Sequence, residues 1–196
     1  GAGDFFTKPG GEVSMEMSRL EDQIVDMVAS VAEAGVAGSG SGTDRTETVD
    51  ADTPAPPSRA YLDSPTLLVG SSTGGPKMVE QVMAELPREA DFRVLIVQHM
   101  PDGFTGRFAK RIDANSDYDV REASDGDRIG GGEALVAPGG RHMRVSNYHA
   151  GRLRVKLSED PPVNSVRPSV DVTMDSAAEV ITDPLVGVIL TGMGED

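Results

Sequence analysis

The sequence predicts an α/β protein built on a doubly wound, mostly parallel sheet, with helices on both faces and a local antiparallel hairpin. From Leu62 to the end of the chain, short apolar segments alternate with segments of helical periodicity, which is typical of a parallel sheet. The strand-like segments are almost continuously apolar, as expected for strands covered on both faces. A Gly-rich stretch in the middle holds several closely spaced strand-like segments, which indicates the antiparallel addition.

The predicted elements follow one another along residues 62–196. Buried strands are predicted at TLLVG, RVLIVQ and LVGVIL, and helices at PKMVEQVMAELP, GFTGRFAKRIDANS and SVDVTMDSAAEVI. The strand-like segments of the Gly-rich stretch are DVREA, ALVAP, HMRVS and RLRVKL. Pro76 suits the first turn of the first helix, and Ser169 is a plausible N-cap of the third.

Two regions precede this domain. Residues 1–34 read as a strand-like piece, a turn and a helix with apolar residues at helical spacing. Residues 35–61 are mostly Gly, Ser, Thr, Asp and Pro, a composition that has almost nothing to bury. We expect a flexible acidic linker there, joining the first region to a domain at 62–196.

Composition excludes several classes of function. The chain has no cysteine, so disulfides, thiolate zinc sites and a cysteine nucleophile are excluded. A net charge of -14 argues against nonspecific nucleic-acid binding, which needs Lys and Arg to neutralise phosphates. Only four of the 18 basic residues are lysines, and such acidic, lysine-poor surfaces resemble those of salt-adapted proteins. No apolar run is long enough to span a membrane and no signal peptide is recognisable, so we expect a cytoplasmic protein.

The loop GSSTGG, residues 70–75, is the first candidate site because it joins a buried strand to a helix. Its glycines and the helix N-terminus suit phosphate binding, although neither the P-loop nor the dinucleotide spacing is met. A sharp strand-to-helix turn can equally present a nucleophilic serine, with backbone N–H groups aimed at an oxyanion. The residues alone leave phosphate binding, a nucleophile and a structural turn open, together with the choice between Ser71 and Ser72.

A nucleophilic serine needs a base and a carboxylate at the same edge of the sheet. His99 directly follows a predicted strand, whereas His142 and His149 lie in the hairpin region and are more simply structural or surface residues. Asp196 follows the last predicted strand, and spacing alone does not separate it from Glu195. No histidine shows metal-ligand spacing, so neither a metal nor a cofactor is expected.

Six motifs occur in order along residues 62–196: LLVGSSTGGP, VLIVQHMP, GFTGRFAKRI, ALVAPGGRHM, RPSVDV and GVILTGMGED. Together they make this part of the chain resemble the catalytic domain of the chemotaxis protein-glutamate methylesterases, the CheB family. The resemblance implies a Ser-His-Asp triad in which Ser72, His99 and Asp196 are the nucleophile, base and carboxylate. Thr73 and Met193 become candidates for the oxyanion hole through their backbone N–H groups.

The family resemblance also implies an activity and partners. The reaction would be hydrolysis of glutamyl methyl esters on chemoreceptors, with deamidation of receptor glutamines as a companion activity. Arg167 is a weaker candidate for substrate binding, since this chain departs from the family pattern just before it.

GAGDFFTKPG resembles the end of a response-regulator receiver domain, with Lys8 at the functional lysine. Residues 1–34 would then be a receiver remnant whose intact form is phosphorylated by the chemotaxis histidine kinase. Family members continue beyond Asp196, so the catalytic domain is expected to be C-terminally incomplete. A nucleotide-binding domain and a noncatalytic receptor-binding module are the alternative functions.

Overall fold

A computed structural model of the chain describes residues 64–149, 152–193 and 196. These residues form one parallel sheet, one antiparallel sheet and three α-helices. The predicted receiver remnant at 1–34 and the linker at 35–61 lie outside the described residues, so both stay predictions.

Five strands form the larger sheet, and every neighbouring pair runs parallel. The strands are β1 (Thr66–Ser71), β2 (Arg93–Gln98), β3 (Asp119–Glu122), β5 (Glu133–Val136) and β8 (Leu185–Ile189). Their spatial order is β3-β5-β2-β1-β8. Two segments from the Gly-rich stretch, DVREA and ALVAP, thus extend the parallel sheet rather than the antiparallel one.

Three strands form the separate antiparallel sheet: β4 (Arg128–Ile129), β6 (His142–His149) and β7 (Arg152–Ser158). Their spatial order is β4-β7-β6. β6 and β7 form the antiparallel hairpin that the sequence predicts, whereas the two-residue β4 has too little pattern of its own to be recognised.

The three helices begin close to where the sequence places them. α1 (Gly75–Glu85) has a proline in its first turn, and α2 (Thr105–Asp113) follows the loop after β2. α3 (Val170–Val180) begins after Ser169, whose side chain accepts a hydrogen bond from the Val172 N–H as a helix N-cap does.

Each face of the parallel sheet has its own apolar core, because alternate residues of a strand point to opposite sides. Leu67 and Val69 of β1 pack with residues of α1 and α2, whereas Leu68 packs with α3 and the antiparallel sheet. Helices therefore cover both faces, and the predicted fold class is confirmed.

The strand order reverses around β1, which places a binding crevice at the ends of the central strands. The chain runs outward from β1 through β2 and returns to pair β8 on the other side of β1. In open α/β sheets, ligands bind beyond the carboxyl ends of the strands at such a reversal. The loops that leave β1, β2 and β8 meet there.

Candidate active site

Backbone hydrogen bonds continue past the ends of the three central strands and hold their loops side by side. The Ser72 N–H donates to the Thr191 carbonyl at 2.7 Å, and the His99 N–H donates to the Ser71 carbonyl at 3.0 Å. The pairing of Ser71 with Gln98 in the sheet places the next residues, Ser72 and His99, at the same edge. The register of the sheet thus brings the serine and histidine loops together.

A buried amide links these two loops. Gln98, only 1% exposed, donates through Nε2 to the carbonyl of Ser72 at 2.9 Å and to the carbonyl of His99 at 3.1 Å. Its Oε1 accepts a hydrogen bond from the Ser71 hydroxyl at 2.6 Å. Ser71 is therefore engaged in holding the turn, which leaves Ser72 as the serine whose hydroxyl is available to a substrate.

Two glycines allow the loops to approach this closely. A Cβ atom on Gly75 would lie 2.2 Å from Gln98 Oε1, and one on Gly192 would lie 2.8 Å from the Ser72 Cβ. Real Cβ atoms essentially never come so near. The clearance at Gly75 thus accommodates the protein's own Gln98.

His99 and Asp196 form a direct pair. The His99 Nε2 lies 2.8 Å from Asp196 Oδ2, and the side chains are 15% and 3% exposed, respectively. A carboxylate at this distance requires the imidazole proton on Nε2, so Nδ1 is the nitrogen with a free lone pair.

The Asp196 carboxylate has further donors at the start of α3. The Val170 N–H donates to Oδ2 at 2.7 Å, and the Ser169 hydroxyl donates to Oδ1. Burial alone would raise the pKa of Asp196, but the hydrogen bonds from Ser169, Val170 and His99 outweigh it and hold the pKa below its usual value. Asp196 is therefore an anion at neutral pH and a stable acceptor for the His99 proton.

One cavity of about 150 Å³ contains the candidate triad. Ser72, His99 and Asp196 all line it, and so does Met193, which is 80% exposed. Asn164 also lines the cavity and belongs to a tight turn in which Val163 and Val166 exchange backbone hydrogen bonds. The cavity is open to solvent and large enough for the end of one side chain.

The other predicted site residues lie in different surroundings. Thr73 is exposed and does not line the cavity, and its carbonyl accepts a hydrogen bond from Thr191 Oγ1. Arg167 does not line the cavity, and its guanidinium donates to the carbonyls of Glu159 and Asp160. Glu195 lies outside the described residues.

Of the two remaining histidines, one is buried in the fold and the other lies at the surface. His142 is fully buried in β6, and His149 is exposed at the end of that strand. In the described ranges, no group of three or more His, Cys, Asp or Glu side chains is arranged to hold a metal ion. Nor is any helix among those residues long and apolar enough to cross a membrane.

Sequence reasoning did not identify Gln98 or the contact of Ser169 with Asp196. Gln98 ends a predicted strand and directly precedes His99, and this position indicates that it lies beside the site. Ser169 was predicted as a helix N-cap, but a second role for its hydroxyl depends on where α3 begins relative to the β8 loop. That placement is a property of the packed fold.

Comparison with known proteins identifies relatives of this chain. Residues 67–196 match the family model described as CheB methylesterase. A Haloarcula marismortui protein named protein-glutamate methylesterase/protein-glutamine glutaminase is 65% identical, with 100% of this chain covering 57% of its length. A Halobacterium salinarum protein of the same name is 57% identical, with 100% of this chain covering 55% of its length.

A solved structure from the same family has a similar fold. The crystal structure of the Thermotoga maritima CheB methylesterase catalytic domain superposes with a TM-score of 0.64 at 38% identity. The match covers 69% of this chain and 71% of that one. The chain spans little more than half the length of the curated relatives described above. It belongs to the CheB methylesterase family.

Proposed function

We propose that this protein hydrolyses glutamate methyl esters on chemoreceptors, and deamidates receptor glutamines, with Ser72 as the nucleophile. The observation that carries the proposal is the His99–Asp196 pair, which lines one cavity together with Ser72. The names of the relatives support the reaction class, because they denote a protein-glutamate methylesterase and protein-glutamine glutaminase.

The hydrogen bonding of His99 determines which nitrogen acts as the base. Because the Nε2–H group donates a hydrogen bond to Asp196, Nδ1 is the nitrogen left to accept the proton of the Ser72 hydroxyl. No hydrogen bond between the Ser72 hydroxyl and His99 is present among the described residues. Nucleophile–base hydrogen bonds are often long in free enzymes and tighten in the substrate complex, so the proposed role of Ser72 does not require one here.

The reaction then proceeds in two halves. Ser72 Oγ attacks the ester carbonyl while His99 takes its proton, and Asp196 stabilises the imidazolium. His99 next protonates the departing methoxide, which leaves as methanol and gives an acyl-enzyme. Water repeats the sequence on the acyl-enzyme and releases glutamate. With a glutamine substrate, ammonia leaves in place of methanol.

Backbone donors for the oxyanion come from two loops. Within the described ranges, neither the Thr73 nor the Met193 N–H donates to another backbone carbonyl, so both are available to an oxyanion. Thr73 also directly precedes Gly74, the N-cap of α1, whose positive end favours negative charge. One such donor contributes on the order of 10²- to 10³-fold in rate.

The size of the cavity favours a small acyl group over a nucleotide. Ligand pockets for larger molecules measure roughly 300–1,000 Å³, whereas this cavity measures about 150 Å³. A glutamyl methyl ester projecting from a receptor helix needs only the end of one side chain to enter. Arg167 stays a weak candidate for contact with the receptor, because its guanidinium is already engaged by two carbonyls.

The partners follow from the substrate. Methyl-accepting chemoreceptors carry their glutamates on cytoplasmic helices, so we place this protein in the cytoplasm. A chemotaxis histidine kinase would act through an intact receiver domain, a prediction that depends on residues 1–34. Neither nucleic acid nor membrane insertion has a part in the proposed activity.

Methanol release from methylated receptor fragments tests the proposal. The full-length protein should release methanol, and Ser72→Ala should lower the rate by at least about 10³-fold, as expected for loss of a triad nucleophile. Ser71→Ala is the matched control, because its hydroxyl is hydrogen-bonded to Gln98 and takes no part in the chemical step, so its loss of rate should be far smaller than that of Ser72→Ala. Undiminished methanol release by Ser72→Ala would overturn the proposal.

The two alternative functions give different results. A nucleotide-binding domain would show nucleotide affinity in calorimetry that depends on the 70–75 loop. A noncatalytic receptor-binding module would bind receptor helices equally well before and after Ser72→Ala and would release no methanol in either form.

A further inference from the structure

The N-terminus of α3 holds the Asp196 carboxylate in place, and a single hydroxyl is central to that contact. We propose that Ser169 is a positioning residue, which orients Asp196 and through it the His99 imidazole. The inference rests on the proposed function, since the triad is the machinery that it serves. Ser169 itself does not touch the reacting atoms.

The carboxylate is held from two directions. Asp196 Oδ2 accepts from His99 Nε2 at 2.8 Å and from the Val170 N–H at 2.7 Å, while Oδ1 accepts from the Ser169 hydroxyl. Because Oδ2 accepts from both His99 and Val170 while Oδ1 accepts from Ser169, rotation of the carboxyl group about its Cβ–Cγ bond would break a hydrogen bond. The plane of the carboxylate, and therefore the direction of the His99 N–H, is fixed.

The Ser169 hydroxyl suits this role because it makes two different hydrogen bonds. As the N-cap of α3 it accepts from the Val172 N–H at 3.3 Å, which uses a lone pair of the oxygen. Its single proton then remains for Asp196. An aspartate is an equally good N-cap but would place a second negative charge against the carboxylate.

Ser169 is in turn fixed by a buried histidine. The Ser169 N–H donates to His142 Nδ1 at 3.2 Å, and His142 Nε2 lies 3.1 Å from the Pro161 carbonyl. Both Ser169 and His142 are fully buried. Because Nδ1 accepts a hydrogen bond, neutral His142 carries its proton on Nε2, where the Pro161 carbonyl accepts it. His142 thus has a structural role: it anchors the backbone of Ser169, the residue that orients Asp196.

Steady-state kinetics of full-length variants test the role of Ser169. Ser169→Ala should lower kcat about ten- to hundredfold with little change in KM, since a hydrogen bond to a charged group is lost away from the substrate. Ser169→Thr keeps the hydroxyl and should restore most of kcat. Ser176→Ala is the matched control, because Ser176 is also a buried serine of α3 with two hydrogen bonds and should leave kcat unchanged.

Combined variants separate positioning from general stability. In an Asp196→Ala background, Ser169→Ala should cause no further loss of kcat, because its effect passes through Asp196. Equal losses of kcat in both backgrounds would overturn the proposal. If Ser169→Ala folds poorly, Ser169→Gly replaces it, because glycine at an N-cap costs the helix only a few tenths of a kcal/mol.

An NMR measurement distinguishes failure of this inference from failure of the proposed function. The His99 Nε2 proton, hydrogen-bonded to a carboxylate, should give a downfield resonance in the ¹⁵N-histidine-labelled protein. Ser169→Ala should shift or broaden that resonance, and Ser176→Ala should not. An unchanged resonance in Ser169→Ala would overturn the inference. Absence of methanol release by the unmodified protein would instead count against the proposed function, while the NMR comparison would still decide the role of Ser169.

Discussion

Among single residues, Asp196 links the site to the stability of the fold. Burial would raise its pKa, but hydrogen bonds from Ser169, Val170 and His99 lower it further than burial raises it. A carboxyl group with a lowered folded-state pKa stabilises the fold above its unfolded pKa, near pH 4 for aspartate. That stabilisation is lost as the pH falls through the folded-state pKa.

Asp196→Asn should therefore be less stable than the unmodified protein at neutral pH, by on the order of 1 kcal/mol. The difference should shrink as the pH falls below about 4, because the unmodified carboxylate becomes protonated as well. Urea unfolding midpoints between about pH 3 and 7 would measure it. Asp117→Asn, at an exposed aspartate, is the control and should differ little from the unmodified protein. A constant difference for Asp196→Asn across this range would contradict the pKa argument.

Between elements, Gln98 ties the end of β1 to the end of β2. Its buried amide makes hydrogen bonds with two backbone carbonyls and with the Ser71 hydroxyl. Leaving buried polar groups without partners costs about 1–3 kcal/mol for each group. The geometry of the serine and histidine loops thus depends on one side chain that takes no part in the chemistry.

Gln98→Leu should destabilise the protein by about 2 kcal/mol, because the Ser71 hydroxyl and the His99 carbonyl lose their partner, while the Ser72 carbonyl keeps only the Gly75 N–H. Adding Ser71→Ala should not add its full separate cost, since the hydroxyl left unpaired is then removed. Chemical denaturation of the two single variants and the double variant forms the cycle that measures this coupling. Strictly additive losses would show that the Ser71–Gln98 hydrogen bond contributes nothing.

For the molecule as a whole, the sequence predicted the parts of the site that depend on topology. Ser72, His99 and Asp196 each follow an apolar strand, and parallel strands bring their carboxyl ends to one edge. The choice between Ser71 and Ser72 needed the family resemblance, and the buried Ser71–Gln98 contact now gives it a physical reason. The contact of Ser169 with Asp196 could not be predicted, because it depends on how α3 packs beside the loop after β8.

The whole molecule carries a net charge of -14 at neutral pH. The salt-adapted interpretation of this composition fits the haloarchaeal relatives. On α3, the exposed Asp171, Asp175 and Glu179 follow one another at a spacing of four residues, where like charges repel. The pKa of Asp171 is raised by desolvation and then by the negative charges of Asp196 and Asp175.

Salt should therefore stabilise this protein. Raising NaCl from about 0.1 to 1 M shortens the screening length from about 10 to 3 Å and weakens the repulsion, so Tm should rise by several degrees. Asp175→Asn removes one repelling charge and should raise Tm by about 1 °C at low salt, with the gain disappearing at about 1 M. Calorimetry of both proteins across the salt range measures the two effects. A Tm that falls with salt, or a gain from Asp175→Asn that persists at high salt, would show that charge repulsion is not what the salt relieves.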